Sequence, residues 1–214
     1  MTGSLLALDL STAQGSIAVV RGDEVLYESV FQSERSHNAQ VFAPLREALA
    51  AAGDELAGIV IGTGPGSYTG VRIAIAAAQG VALSRDVWCV GCSSLTAPDI
   101  DATADYSVVG DARRQSFYLA QVKNGRLAPD IETVSPEVAR ERVSGGVWLT
   151  FDAKAPLGMQ DVRVARPCAK RLAMNVRRLS ADELSALAAQ PLIPHYLAEA
   201  FITQAKRPFS TTPR

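Results

Sequence analysis

Gly58-Ile59-Val60-Ile61-Gly62-Thr63-Gly64-Pro65-Gly66-Ser67-Tyr68-Thr69-Gly70-Val71-Arg72 decides how this chain is read. The unbroken apolar run predicts a buried strand over 58–62, and the glycine-rich loop then feeds a helix of about 71–84. Glycines 64, 66 and 70 around Pro65 permit tight turns, and the helix start behind them offers free N–H groups to an anion. Two phosphate-binding patterns fail here: no lysine follows Gly70, and the Gly-x-Gly-x-x-Gly spacing is not met. Gly64, Pro65, Gly66, Ser67 and Gly70 are therefore read as a structural strand-to-helix turn.

Upstream, Leu5 to Leu10 reads as a buried central strand. Ser16–Val20 and Val25–Phe31 flank the turn Arg21-Gly22-Asp23-Glu24 as a hairpin. Val41, Phe42, Leu45, Ala48, Leu49 and Ala52 then fall at helical spacing, which predicts a helix over about 36–52. Ser36 is its expected cap, Pro44 its expected kink and Gly53 its stop. With a strand over 87–91 the first hundred residues read β-β-β-α-β-α-β, the order of a ribonuclease-H-like lobe.

The second half repeats the opening. Tyr106–Asp111 and Ser116–Val122 pair, Asn124-Gly125 is a turn signal, Ile131–Val134 follows, Pro136 starts a helix and 147–151 is a strand. Both halves open with a strand ending in aspartate and a hairpin after it. This is an internal duplication on the plan of the actin-like ATPase fold: α/β, two ribonuclease-H-like lobes, the second reduced. The expected division is 1–100 and 101–214, with an amphipathic helix over 168–180 and a frayed end from 203.

The 214 residues are 48% hydrophobic and 20% charged, which excludes a disordered chain. The N-terminus lacks a basic region ahead of its apolar run, no stretch is long enough to span a membrane, and three cysteines make no disulfide framework. A cytoplasmic protein is expected. Residues 1–100 hold five arginines, no lysine and ten acids, a balance of −5. The remainder holds 16 basic and 12 acidic residues, a balance of +4, and together they give the net −1.

Few residues suggest chemistry. Asp9, with Ser11 and Thr12, and Asp111 stand where an actin-like kinase keeps metal- and phosphate-facing aspartates, yet an aspartate at a strand end also caps a turn. Residues 151–200 hold a single glycine, Gly158, too little for an adenosine-binding loop. Cys89 and Cys92 form Cys-x-x-Cys at a strand end without a second pair, and buried thiols explain them. Two histidines without a His-x-x-x-His pair make a metallopeptidase improbable, and no catalytic residue or metal ligand is assigned. Six basic residues and no acid lie between Arg163 and Arg178. Lys170, Arg171, Arg177 and Arg178 on one helix side are candidates for RNA phosphate contact, against the commoner explanation of a solvated face.

The helix after the loop is small on every face, with Gly70, Ala74, Ala76, Ala77, Ala78, Gly80 and Ala82, and so must be buried on more than one side. Its second cover is expected to be another subunit. The expected partner surface joins His37, Val41 and Leu45 of the preceding helix to Arg72, Ala76, Gln79, Gly80 and Leu83.

Leu6-Ala7-Leu8-Asp9-Leu10-Ser11-Thr12, Arg35-Ser36-His37, the run Gly64 to Ile73, Ser93-Ser94-Leu95 and Asp111-Ala112-Arg113-Arg114 occur in this order. Together they resemble the TsaB (also called YeaZ) family, over residues 4–122 by sequence and beyond by element order. The resemblance implies an actin-like fold without an ATPase centre of its own. It implies pairing with the catalytic paralogue TsaD and with the ATPase TsaE, which move threonylcarbamoyl from an adenylate onto the adenosine beside the anticodon of tRNAs reading codons that start with A. ATP and metal are then expected on the partner subunits and none on this chain alone, tRNA is met through the complex, and the free chain is a homodimer through its first-lobe helices. Leu10 stands where many members have Thr, and Tyr196-Leu197-Ala198 where many have Tyr-Leu-Arg. The competing expectation is an enzyme acting alone, an actin-like kinase or ATPase or a glycoprotease.

Overall fold

A computed structural model of the chain describes residues 3–32, 40–101, 105–129 and 131–197. The first sheet runs β3-β2-β1-β4-β5, built from β1 (Ser4–Asp9), β2 (Gln14–Arg21), β3 (Glu24–Gln32), β4 (Leu56–Gly62) and β5 (Trp88–Cys92). β1–β2 and β2–β3 pair antiparallel, β1–β4 and β4–β5 parallel. The crossovers are helices α1 (Phe42–Ala52) and α2 (Tyr68–Arg85). This is the expected ribonuclease-H-like lobe.

Strand alternation sends side chains to two separate cores. Leu6, Leu8, Ile17, Val19, Ile59 and Ile61 meet α1 and α2. Leu5, Ala7, Ala18, Val20, Val60 and Val90 face the opposite way. Both faces of β1 are covered, so all six of its residues are buried.

The second sheet runs β11-β10-β6-β7-β8, with β9 also on β7. Its strands are β6 (Tyr106–Arg113), β7 (Ser116–Lys123), β8 (Arg126–Leu127), β9 (Glu132–Val134), β10 (Trp148–Thr150) and β11 (Val162–Val164). β6–β7 is antiparallel while β6–β10 and β10–β11 are parallel, so the first lobe's order is repeated. Helix α3 (Pro136–Arg142) occupies the place of α1, with Ser135 capping Val138 N–H and Pro136 in the first turn, as the sequence predicts. Where α2 would stand there is one 3-10 turn, Pro156–Gly158. The duplication is present, and the second lobe is the reduced copy.

Two expectations change and two fall outside the described residues. Pro44 does not kink α1: it sits in the first turn, where its missing N–H has no intrahelical partner to lose. The cap expected at Ser36 lies outside the described residues, as does the end from 203. The helix read over 168–180 is α4 (Ala169–Arg177), and a further helix α5 (Ala181–Ala188) follows it. Both α4 and α5 leave the second lobe. Ala169, Leu172, Ala173 and Val176 of α4 cover the second face of the first sheet, with Leu184 and Leu187 of α5 beside them. The second face of the first sheet thus takes a cover that the first hundred residues do not supply.

The lobes join through two adjacent segments. Cys168 N–H donates to Ala97 C=O at 2.8 Å and Asp99 N–H to Arg166 C=O at 2.8 Å, around a Pro98–Pro167 bridge.

Candidate functional site

The end of β1 is sealed. Asp9 is fully buried, and its Oδ1 accepts from Ser11 N–H (2.8 Å) and from the Ser11 hydroxyl (2.6 Å). Its Oδ2 makes no hydrogen bond. A Cβ on Gly62 would lie 1.8 Å from that oxygen, so glycine is required beside it. Burial raises the Asp9 pKa, and the hydrogen bonds from Ser11 offset this only in part. Enclosure of this kind favours a neutral acid and leaves no face for a cation. The capping alternative describes Asp9.

The 64–70 loop forms the roof. Ser67 N–H donates to Ser11 C=O at 2.6 Å, and Ser67 Oγ caps Gly70 N–H at the start of α2. A Cβ on Gly66 would come 2.1 Å from Ser11 O, and one on Gly70 2.0 Å from Leu10 O. The glycines exist for this approach of loop to strand. Gly64 and Pro65 are buried beside them, with Gly64 C=O accepting from Ser94 N–H at 2.9 Å.

Helix α2 buries Gly70, Val71, Ala74, Ile75 and Ala78. Its other side, Arg72, Ala76, Gln79, Gly80 and Leu83, faces solvent. Leu83 is 88% exposed, and Phe42 at the start of α1 is 57% exposed. A Cβ on Gly80 would touch nothing within 4 Å. Two residues expected on this surface do not belong to it: Val41 and Leu45 are buried in the first lobe's own core, at 0% and 5% exposure, against the α1–α2 face of the sheet. His37 lies outside the described residues.

Between the lobes is a cleft of about 970 Å³. Its second-lobe wall carries Asp111, Arg113 and Asp152. Asp152 Oδ2 accepts from Asp111 N–H (2.8 Å), and Asp111 Oδ1 from Arg113 N–H (2.7 Å). Burial, with Asp111 close by, pushes the Asp152 pKa up. Among the described residues no group of three or more His, Cys, Asp or Glu side chains is placed to share a metal.

The remaining candidates separate. Lys170 pairs with Glu28 at 2.8 Å and Arg171 with Asp101 at 2.6 Å, so half of the basic set is already neutralised. Arg177 is half-buried and Arg178 exposed at the end of α4. Cys89 and Cys92 point to opposite faces of the first sheet, one toward each core. Burial pushes their pKa values to about 11 and about 12, which suits inert thiols.

An aromatic cluster escaped the sequence reading. Tyr68 and Tyr196 stack at 5.3 Å, and Arg72 both donates to the Tyr68 hydroxyl at 2.5 Å and lies 5.1 Å from its ring centre. The spacing of four between Tyr68 and Arg72 on a helix was legible. The contribution of Tyr196, 128 residues away by number, was not.

Comparison with known proteins gives the following. The family model described as TsaD, tRNA N6-adenosine threonylcarbamoyltransferase, matches residues 26–141. The tRNA threonylcarbamoyladenosine biosynthesis protein TsaB of Haemophilus influenzae is 32% identical, over 59% of this chain and 57% of that protein. The protein of the same name from Escherichia coli is 30% identical, over 68% of this chain and 69% of its own length. The match thus spans little more than half the length of the first of these relatives. Among solved structures, YeaZ from Pseudomonas aeruginosa superposes with a TM-score of 0.70 at 23% identity, over 90% of this chain and all of that one, and shares its fold. Among the described residues no helix is long and apolar enough to cross a membrane.

Proposed function

The chain belongs to the TsaB (YeaZ) family, and from that premise we propose that it is the non-catalytic accessory subunit of threonylcarbamoyladenosine formation in tRNA. Its partner is a TsaD-type threonylcarbamoyl transferase, which with a TsaE-type ATPase supplies the ATP and metal chemistry. The product adenosine lies beside the anticodon of tRNAs reading codons that start with A. The free chain pairs with itself through the surface that takes the transferase, in the cytoplasm.

One observation carries this reading. The solvent side of α2 offers Ala76 and Gly80 one helical turn apart, with an almost fully exposed Leu83 beyond them. Small residues let a second helix approach closely, and the exposed leucine adds apolar area for it to cover. The sealed Asp9 supports the non-catalytic half of the proposal, since a phosphotransferase of this plan would turn that carboxylate toward its metal.

Ala76→Arg places a long cation on this surface while leaving the core untouched. The expected outcome is loss of co-sedimentation with the organism's own TsaD-type protein, with unchanged far-UV circular dichroism. An unchanged sedimentation profile would reject the surface. Turnover of ATP by the purified chain without partners would support the competing enzyme instead.

A further inference from the structure

Residues 190–197 leave α5 on one face of the first sheet and reach the other. Leu192 packs with the α1–α2 core, its Cδ1 close over Gly91. Three residues later His195 N–H donates to Thr63 C=O at 2.8 Å, at the root of the glycine-rich loop. Tyr196 then stacks on Tyr68, and Leu197 packs against the core of the second lobe. This segment therefore touches the first lobe, the loop and the second lobe within six residues. Pro194, His195, Tyr196 and Leu197 also line the interlobe cleft.

We propose that residues 190–197 are a clasp, a tie between the lobes on the cleft side, closed by the TsaD-type partner that docks on α2. The second half of the statement rests on the partner surface proposed above. The geometry behind it is a groove of about 430 Å³ whose walls are Arg72, Ala76 and Gln79 of α2 on one side and Leu192, Pro194 and Tyr196 of the clasp on the other. A chain seated against Ala76 touches the clasp as well. Ile193 and Tyr196, 63% and 50% exposed, leave apolar surface that such a partner would cover. At the α2 end the Tyr196 ring rests on Tyr68 while half-exposed, so this end of the clasp is weakly held alone and strengthened by cover from outside.

Amide hydrogen exchange of His195 tests the tie directly, because that N–H is bonded only while the clasp is shut. In the free parent chain it is expected to be protected. Tyr196→Ala removes the ring pair and should speed exchange of the His195 amide about 2- to 10-fold, while Tyr196→Phe keeps the stack and the parental rate. Exchange of the parental His195 amide at the rate of an open chain, or no change in Tyr196→Ala, would overturn the clasp. Adding the TsaD-type protein should slow His195 exchange in the parent and leave Ala76→Arg unchanged. A complex that forms without slowing it would overturn the coupling and spare the partner surface. Failure of the parent to bind would remove the partner surface and the coupling together, and the free-chain comparison would still decide the tie.

Discussion

The two lobes lay down the same strand order and differ most in one place. Between the fourth and fifth strands of the first sheet stands the 18-residue α2, about 27 Å long. Between β10 and β11 of the second sheet stands a single 3-10 turn. The aspartates near the ends of the first strands repeat the comparison. Asp9 and Asp111 each accept the backbone N–H two residues on, at 2.8 and 2.7 Å. Yet Asp9 is wholly buried under the 64–70 loop, and the Asp111 side chain is 42% exposed. The same turn geometry is thus a core element in one lobe and a cleft-facing element in the other. The difference teaches where investment was kept: the first lobe retains a helix whose outer side its own fold does not cover, and it borrows α4 and α5 to close its other face.

The loop that roofs Asp9 is the point at which the comparison breaks hardest. Gly70→Val would drive a branched side chain into Leu10 C=O, backbone against which nothing flexible can yield. A loss of about 4 kcal/mol or more is expected, read from the urea midpoint at constant m. A variant that unfolds with the parent but abolishes tRNA modification would make the loop functional rather than structural.

Exchanging each aspartate for alanine comes next in size. Asp9→Ala strands the buried Ser11 N–H and hydroxyl, at an expected cost of about 2–3 kcal/mol. Asp111→Ala frees donors that water can reach, and about 1 kcal/mol or less is expected. Equal losses would contradict the contrast between the two strand ends. The proton adds a signature. Burial lifts the Asp9 pKa in the native state above its ordinary 3.8, so between the two values the folded chain binds more protons than the unfolded one. Stability from this group therefore falls as pH rises above about 3.8 and levels off once the native carboxyl has ionised. Asp152, also raised by burial, adds in the same direction. Asp9→Asn should remove its part of that slope, seen as a flatter plot of unfolding free energy against pH, and an unaltered slope would contradict the assignment.

Much of this was legible. Alternation and turn chemistry marked the meander, the Asn124-Gly125 hairpin and the start of α3, because short-range geometry dictates those residues. Helix α5 also had its signal: Ser180 and Glu183 form a capping box, with Ser180 Oγ accepting Glu183 N–H and Glu183 accepting Ser180 N–H, at the position where the sequence reading ends the preceding helix. What periodicity cannot specify is the destination of a face. The apolar stripe of α4 reads the same whichever sheet receives it, and Val41 and Leu45 look like a surface pair until their own sheet is seen to cover them. The clasp carries no periodic signal at all.

The smallest effect separates two turns of the second sheet. Both hairpins place two residues between paired strand ends, Arg114-Gln115 after Arg113 and Asn124-Gly125 after Lys123. All four have positive φ, from 51° to 72°, the requirement of a type I′ turn. Asn-Gly adopts this at little steric cost, whereas arginine and glutamine pay for their Cβ atoms, and Arg113 at φ 72° adds a third strained residue in the adjoining bulge. Asp111 Oδ1 on Arg113 N–H and the Ser116 hydroxyl on Arg113 C=O, at 2.7 Å each, hold that turn in place. Installing the second hairpin's solution in the first, as Arg114→Asn with Gln115→Gly, should stabilise the chain by about 1 kcal/mol, which for a protein of this size raises Tm by about 2–4 °C. The mirror change Gly125→Ala should lower it by a similar amount. If the Asn-Gly replacement leaves Tm unchanged or lowers it, the arginine and glutamine side chains contribute contacts that offset their backbone cost, and the two hairpins are then energetically alike despite their sequences.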